Sequence, residues 1–484
     1  MRPWTMLLAA VTFALPAAAQ PVVPASPVAD PMPAIAPAGI SVRLVPFATV
    51  PQGAPQLIQP VGDGSQRLAI HETDGRIFLT TPAGGALGAP YLNLDGTAPG
   101  FLGGLMGVAF APDFASTGRF YTGSYGSSGS GIAPLASSFG TENDMVVTEW
   151  TASDPTAAVF TGTYREVLRV AQPSWGHAIG MLAFNPNAAP GSADHGKLYI
   201  SMGDAGDNQS YLLNGQTLSN PYGKVLRIDP TPGVGTGFTE PADNPFVGEP
   251  GAEATIWAHG LRNPQYLSWL RDSLPGGGAG TMFIADIGEG DIEEVNTGVA
   301  GGNYGWSIRE GTFATWRDPA LGIGDVMGVF ELAGGPEAGL RYPVAQYDHD
   351  EGRAIGSALI YQGTAVPGLA GRLVATDIVN GRLFVADVDG LVSDDDPDGV
   401  AGFAELTTIV NGIQQPLLAA LGTTRADARL GTDDAGNLYV VTKAGGQIFR
   451  VEAQAVPGPG GLGVFAVGVL GLALVRKKGR VFFF

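Results

Sequence analysis

The stretch RLGTDDAGNLYVVTKAGGQIFRV (Arg429–Val451) is an apolar run, a turn rich in Asp, Asn and Gly, and a second run centred on a tyrosine. Strand-favouring residues on either side of such a turn, whose glycine accepts positive φ, spell an antiparallel hairpin. The phrase recurs as RLAIHETDGRIFLT (67–80), GVAFAPDFASTGRFYTGSY (107–125), MLAFNPNAAPGSADHGKLYISMGD (181–204) and RLVATDIVNGRLFVADVDG (372–390), with a degenerate copy, YLSWLRDSLPGGGAGTMFIADIG (266–288). Six copies over about 410 residues give a spacing near 70, which suits large four-stranded units repeated around an axis. The expectation is an all-β chain folded as a six-bladed β-propeller, with four-stranded antiparallel blades around a central channel. A sandwich of hairpins is the alternative, and the even spread of copies with few helical periodicities favours the propeller.

Composition agrees with many short strands. The 484 residues include 73 glycines and 37 prolines, yet 45% are hydrophobic, a pairing that favours turns between strands over disorder. The formal charge of −19 repels phosphate backbones, so no nucleic-acid partner is expected. With no cysteine, disulfides, thiolate metal sites and cysteine nucleophiles are excluded.

The two ends read as addresses. Residues 1–19, MRPWTMLLAAVTFALPAAA, have an early arginine, a short apolar core and a small-residue ending, the pattern of a secretory signal peptide. Residues 20–38 are rich in Pro and Ala and read as a flexible, partly extended linker, leaving 39–453 for the folded domain. The last segment, 454–484, runs from a Pro/Gly break through about 15 apolar residues, fewer than the roughly 20 that span a bilayer, to Arg476-Lys477-Lys478. It resembles PEP-CTERM sorting signals, although Gly458 replaces the usual glutamate. That resemblance implies an exported protein of a Gram-negative envelope and a processing enzyme as partner; a plain membrane anchor is the other reading.

Several phrases carry more chemistry: GGLMGVAFAPDF (103–114), GHAIGMLAFNP (176–186), LSNPYGKVLRIDP (218–230), IWAHGLRNPQ (256–265) and DIGEGDIEEVNTGVAGGNYGW (286–306). Their order and spacing resemble the glucose/sorbosone dehydrogenase domain, over about residues 40–452. That family includes soluble aldose dehydrogenases dependent on pyrroloquinoline quinone (PQQ) and the propeller of hedgehog-interacting protein. The resemblance implies a sugar substrate, whose C1 hydroxyl is oxidised to the lactone, and PQQ and Ca²⁺ as cofactors. It places the catalytic base at His177, one of five histidines, whose near-neutral pKa suits proton abstraction. It places a quinone-stabilising guanidinium at Arg262 beside Asn263, and the calcium-holding backbone at Gly288 and Glu289.

The chain also departs from the family. Gly103 stands where the glucose enzymes have glutamine, Gly176 where they have an acid before the histidine, and Val379 where they have a lysine for a quinone carboxylate. Arg425 and Arg429 lie near, but out of register with, a pair of cofactor-clamping arginines. In YDHDEGRAIGSALIYQG (347–363) and DIVNGRLF (377–384) the chain resembles the hedgehog-interacting-protein-like branch more closely, and for that branch redox activity is not implied. A non-redox, calcium-stabilised binding module is therefore the alternative function, and a calcium-dependent hydrolase on the same fold a third.

One acidic motif is independent of the family, and a second has its own metal reading. DDDPDGVAGFAE places Asp394, Asp396, Asp398 and Glu405 with Gly399 in the order of a calcium loop; an acidic connection between strands is the alternative. In YDHDEG, His349 is surrounded by Asp348, Asp350 and Glu351, which suits either a metal site or a solvated loop. Asp286, Glu293 and Glu294 have a second reading too, as carboxylates that hold a loop rather than a metal.

Overall fold

The computed structural model describes residues 27–51, 53–98, 100–128, 134–135, 143–206, 211–274, 280–317, 326–331, 339–388 and 399–454. The leader 1–19, the start of the linker, Asp394, Asp396, Asp398 and residues 455–484 lie outside the described residues. The chain divides into one compact unit ending at Ala453 and a second from Gln454 to Phe484. No helix among the described residues is long and apolar enough to cross a membrane.

The fold is all-β. Pro55–Pro60, Leu68–Glu72, Arg76–Thr80 and Leu92–Asn93 form one sheet in chain order. Gly107–Phe110, Arg119–Ser127, Asn143–Ala152 and Gly162–Gln172 form the next, with Pro134–Leu135 added at its edge. Ile179–Phe184, Leu198–Met202, Lys224–Ile228 and Ile256–His259 form a third. A fourth holds Pro264–Trp269, Met282–Asp286, Ile292–Gly298, Ala345–Asp348 and the short Ala401–Gly402. Between its third and fourth strands the chain makes a three-stranded excursion, Arg309–Glu310, Phe313–Arg317 and Val326–Phe330.

The remaining strands join in a ten-stranded sheet. Ile355–Ile360, Leu373–Asp377, Leu383–Ala386 and Ala404–Val410 lead into Ala36–Thr49, followed by Gln447–Ala453, Leu438–Thr442 and Ala428–Thr432; Gly85–Ala86 and Ile413–Gln414 pair at its edges. Ala36–Thr49 runs parallel to Ala404–Val410 and antiparallel to Gln447–Ala453. The domain's first strand is thus zipped to its last.

Every copy of the repeated phrase is an antiparallel hairpin. In Arg429–Val451 the turn is built by Asp433, whose Oδ1 accepts the amides of Ala435 and Asn437, each at 2.9 Å, while Gly436 takes φ of +76°. The copies do not share one register. Those at 67–80 and 372–390 are second and third strands of their four-strand groups, because Pro55–Pro60 and Ile355–Ile360 precede them.

Six strands crowd together. Ile179–Phe184 packs between Gly107–Phe110 and Pro264–Trp269. Ile355–Ile360 packs between Pro264–Trp269 and Ala428–Thr432, and Ala428–Thr432 meets Pro55–Pro60. Gln59 Nε2 donates to the Val108 carbonyl at 2.7 Å, tying Pro55–Pro60 to Gly107–Phe110. The crowding explains two glycines: a Cβ on Gly180 would lie 2.1 Å from the Pro264 carbonyl oxygen, and one on Gly431 2.1 Å from that of Ile58. Behind the six strands, side chains such as Leu198, Ile200, Leu226 and Ile256 are fully buried, each stabilising by about 1.5–3 kcal/mol relative to exposure.

The C-terminal ends of all six strands line one cavity of about 390 Å³, with Pro60, Phe110, Phe184, Trp269, Ile360 and Thr432 among its walls. Their N-terminal ends carry His177, Arg262 and Arg429. This hollow is therefore at the end of the strands remote from those side chains.

The linker reading needs correction where it is described. Val28 donates its amide to the Val329 carbonyl, Met32 to Asp348 Oδ2 at 2.9 Å, and Ile35 to Glu351 Oε1 at 2.8 Å. Residues 28–35 are held on the domain by acceptors far along the chain, and the first strand starts at Ala36. Pro/Ala composition does not reveal acceptors supplied from 316 residues away.

Candidate functional site

His177 sits just before Ile179–Phe184 with φ of +48°, a left-handed conformation uncommon outside glycine. The hairpin holds it there. Its backbone abuts Gly203 and its ring abuts Gly206, where any Cβ would meet His177 atoms at 3.0 Å or less. The preceding loop is braced by Ser174 Oγ on the Gly176 and Ala205 carbonyls and by Gln172 Nε2 on the Gly176 carbonyl. Gly176, in the place of the family's acid, thus contributes only its backbone.

The acid comes from elsewhere. Asp204, fully buried, meets His177 Nδ1 with its Oδ1 at 2.6 Å. The same oxygen accepts the Gly206 amide, and its Oδ2 accepts Trp306 Nε1 at 2.8 Å. With Nδ1 bound to Asp204, the other nitrogen, Nε2, has no partner among the described residues and belongs to a side chain 21% exposed. Such a buried acid behind a partly exposed imidazole fixes the ring's orientation and tautomer.

Trp306 links this pair to Arg262, whose guanidinium lies 5.5 Å from the indole centroid. Arg262 Nε donates to Glu289 Oε2 at 2.6 Å, Nη1 to the Gly288 carbonyl, and Nη2 pairs with Glu289. Gly288 and Glu289, the expected calcium cradle, are thus filled by a guanidinium. The segment carrying them is anchored by Glu310, whose Oε1 accepts the amides of Glu289, Gly290, Asp291 and Ile292 at 2.8–3.1 Å. Asn263 points inward: its Oδ1 accepts Gln265 Nε2 at 2.9 Å, and its amide, like that of Arg262, donates to Asp286.

From Gln265 the network reaches Arg429, whose Nη2 donates to Gln265 Oε1 at 3.2 Å. Arg429 is only 7% exposed, and its Nη1 is buried without a hydrogen-bond partner. Burial pushes its pKa down to about 10, and burial together with Arg429 brings Lys443 to about 7. His71, buried and brought down to about 4 by its desolvation, leaves Nδ1 unpartnered close by. This corner is rich in cationic and donor groups.

Glu293, Glu294 and Glu405, singled out in the sequence, are structural. Glu293 holds His349 Nε2 at 2.8 Å and the Ile355 amide at 2.7 Å, so the His349 ring faces away from its acidic neighbours. Glu405, the last member of the calcium-loop pattern, lies in a strand with Oε2 on Arg382 at 2.8 Å. Glu294 accepts Asn296 Nδ2 and the Gly311 amide, while burial, with Asp286 adding to it, pushes its pKa up to about 8. The folded chain therefore retains a proton that the unfolded chain loses above the usual carboxylate range, and stability falls as pH rises from about 4.5 to 8. Urea melts of Glu294→Gln at pH 5.5 and 8 should show a shallower fall than wild type, by up to about 3 kcal/mol; an equal fall would assign the slope to other groups.

Asp204, Trp306, Glu310 and Lys443 were not singled out from sequence. Asp204 had a readable signal, because pairing of Ile179 with Met202 sets residue 204 across from His177.

Comparisons with known proteins bear on this geometry. The family model described as Glucose / Sorbosone dehydrogenase matches residues 53–450. The HIPL1 protein of Arabidopsis thaliana is 28% identical over 371 residues, 66% of this chain and 50% of that protein. The chain thus spans about half of that relative. The aldose sugar dehydrogenase YliI of Escherichia coli is 27% identical over 384 residues, covering 77% of this chain and 83% of YliI. Among solved structures, the apo-form soluble aldose sugar dehydrogenase of Escherichia coli aligns with a TM-score of 0.54 at 21% identity, covering 86% of this chain and 98% of that one. The PQQ-bound aldose sugar dehydrogenase of Streptomyces coelicolor gives 0.55 at 21% identity, covering 87% and 100%. With the family model spanning most of the described domain, the chain belongs to the Glucose / Sorbosone dehydrogenase family.

Proposed function

We propose that the chain is an exported, PQQ-dependent aldose sugar dehydrogenase-like oxidoreductase, built as a six-bladed propeller of four-stranded blades. The observation that carries the reading is the Asp204-oriented His177 at the same end of the six crowded strands as Arg262. The grouping of strands in fours and the zipped first and last strands support the blade count.

The residues suit a polycarboxylate cofactor in one respect. PQQ carries three carboxylates, and the orphaned Arg429 Nη1 with Lys443 beside it offers cations despite the loss at Val379. PQQ, when bound, supplies a two-electron hydride acceptor. His177 Nε2 accepts the proton of the sugar C1 hydroxyl as the product becomes a lactone. Asp204 keeps Nδ1 protonated and offsets the charge the ring acquires, and Trp306 fixes Asp204. Calcium at the Gly288 carbonyl does not fit while Arg262 occupies that oxygen, so no step is derived through it.

That occupied cradle favours a second reading, a non-redox binding module at the envelope. Purified chain given PQQ and Ca²⁺ should change the PQQ absorbance spectrum and reduce dye with at least one aldose. Absence of both would leave the binding module. The export part of the proposal rests on residues 1–19 and 454–484, with a sorting enzyme as processing partner. A mature N-terminus at Gln20, read by mass spectrometry of the secreted protein, checks it.

A further inference from the structure

A second site lies in the YDHDEG turn, where the N-terminal segment reaches it. Asp348 ends the strand Ala345–Asp348, Asp350 follows on the turn, and Asp30 arrives from the segment before the first strand. One carboxylate oxygen from each lies within 4.8 Å of the others. Three anionic groups so close repel strongly unless a proton or a cation stands between them.

An independent observation sets this cluster apart from an ordinary acidic surface. Asp348 is only 2% exposed, and its Oδ1 is buried with no hydrogen-bond partner. Its Oδ2 accepts the Met32 amide at 2.9 Å, two residues after Asp30. A buried carboxylate oxygen left bare costs desolvation with nothing in return. Two neighbouring cations are committed elsewhere: His349 to Glu293, and Arg382 to Glu351 and Glu405.

We infer that Asp30, Asp348 and Asp350 bind a divalent cation of the calcium class, which clasps the N-terminal segment to the fourth sheet. The donors are all hard oxygens, with no imidazole or thiolate turned toward them, which selects calcium over transition metals. Two of the three carboxylates are exposed, so water can complete the six to eight oxygens calcium takes. The site does not depend on the proposed redox function, and it uses none of Gly288, Glu289 or residues 394–405.

The test titrates Ca²⁺ alone into metal-free full chain by calorimetry, alongside Asp30→Ala and Asp350→Asn. It then follows amide exchange of the peptide spanning residues 28–40 by mass spectrometry. Both substitutions are at exposed positions, and unchanged urea midpoints without Ca²⁺ are expected to show that the fold is kept. The wild type should bind one Ca²⁺ more than either variant, and Ca²⁺ should slow exchange at Met32 and Ile35 at least tenfold in the wild type only. Equal stoichiometry in all three proteins, or exchange indifferent to Ca²⁺, would overturn the inference and leave a proton shared between Asp348 and Asp350. Loss of PQQ turnover with this calcium difference intact would strike the proposed function alone.

Discussion

His177→Ala is expected to lower sugar-dependent dye reduction by about a thousandfold or more, and Asp204→Asn by about a hundredfold to ten-thousandfold, both in kcat. The alanine variant removes the base whose free nitrogen faces solvent beside Arg262. The asparagine variant keeps size and shape, but its amide can donate to Nδ1 and turn the ring to the tautomer in which Nε2 already holds a proton. Trp306 Nε1 would keep the new amide in place through its remaining oxygen, so the variant should fold like wild type. PQQ binding, read by absorbance, should survive in both, because neither residue belongs to the Arg429 and Lys443 corner. Full turnover in Asp204→Asn would remove the dyad from the mechanism.

A large loss of stability is expected from Gly180→Ala. The added Cβ would stand 2.1 Å from the Pro264 carbonyl oxygen, 2.9 Å from Ser201 Oγ and 3.0 Å from the Gln265 Cα. Two of these are backbone atoms of a neighbouring strand, so relief requires moving that strand outward. Overpacking of this kind costs roughly 1–3 kcal/mol or more, and Arg262 and Asn263 immediately precede Pro264, so activity should fall with stability. Gly88→Ala, where nothing lies within 4 Å and φ is not positive, should change the urea midpoint little. If the two variants melt alike, the strands are not crowded as described.

How much of this was readable from sequence depends on the range over which each residue acts. The hairpins were legible because a turn such as Asp433–Asn437 is specified by neighbours, and its side chain bonds amides two and four residues on. His177 and Arg262 were legible through the phrases that contain them. Asp204 was hidden although its strand was recognised, because the missing acid was sought next to the histidine rather than across the hairpin. The guanidinium on Gly288 was hidden because a motif names donors without saying which cation reaches them first. The docking of residues 28–35 was hidden for the reason that their acceptors come from Val329, Asp348 and Glu351, which no local pattern connects to a Pro/Ala-rich run.

The pairing of Ala36–Thr49 with Gln447–Ala453 also sets a clock. Val42 lies opposite Ala453, so this ladder closes a loop of about four hundred residues, a slow step because chain entropy is lost before any contact rewards it. A ribosome releases the C-terminal partner last, and until then the early strand has an open edge able to pair with other chains. A nascent chain stalled before Gln447 should therefore stay sensitive to protease throughout, and gain resistance abruptly once Ala453 is free.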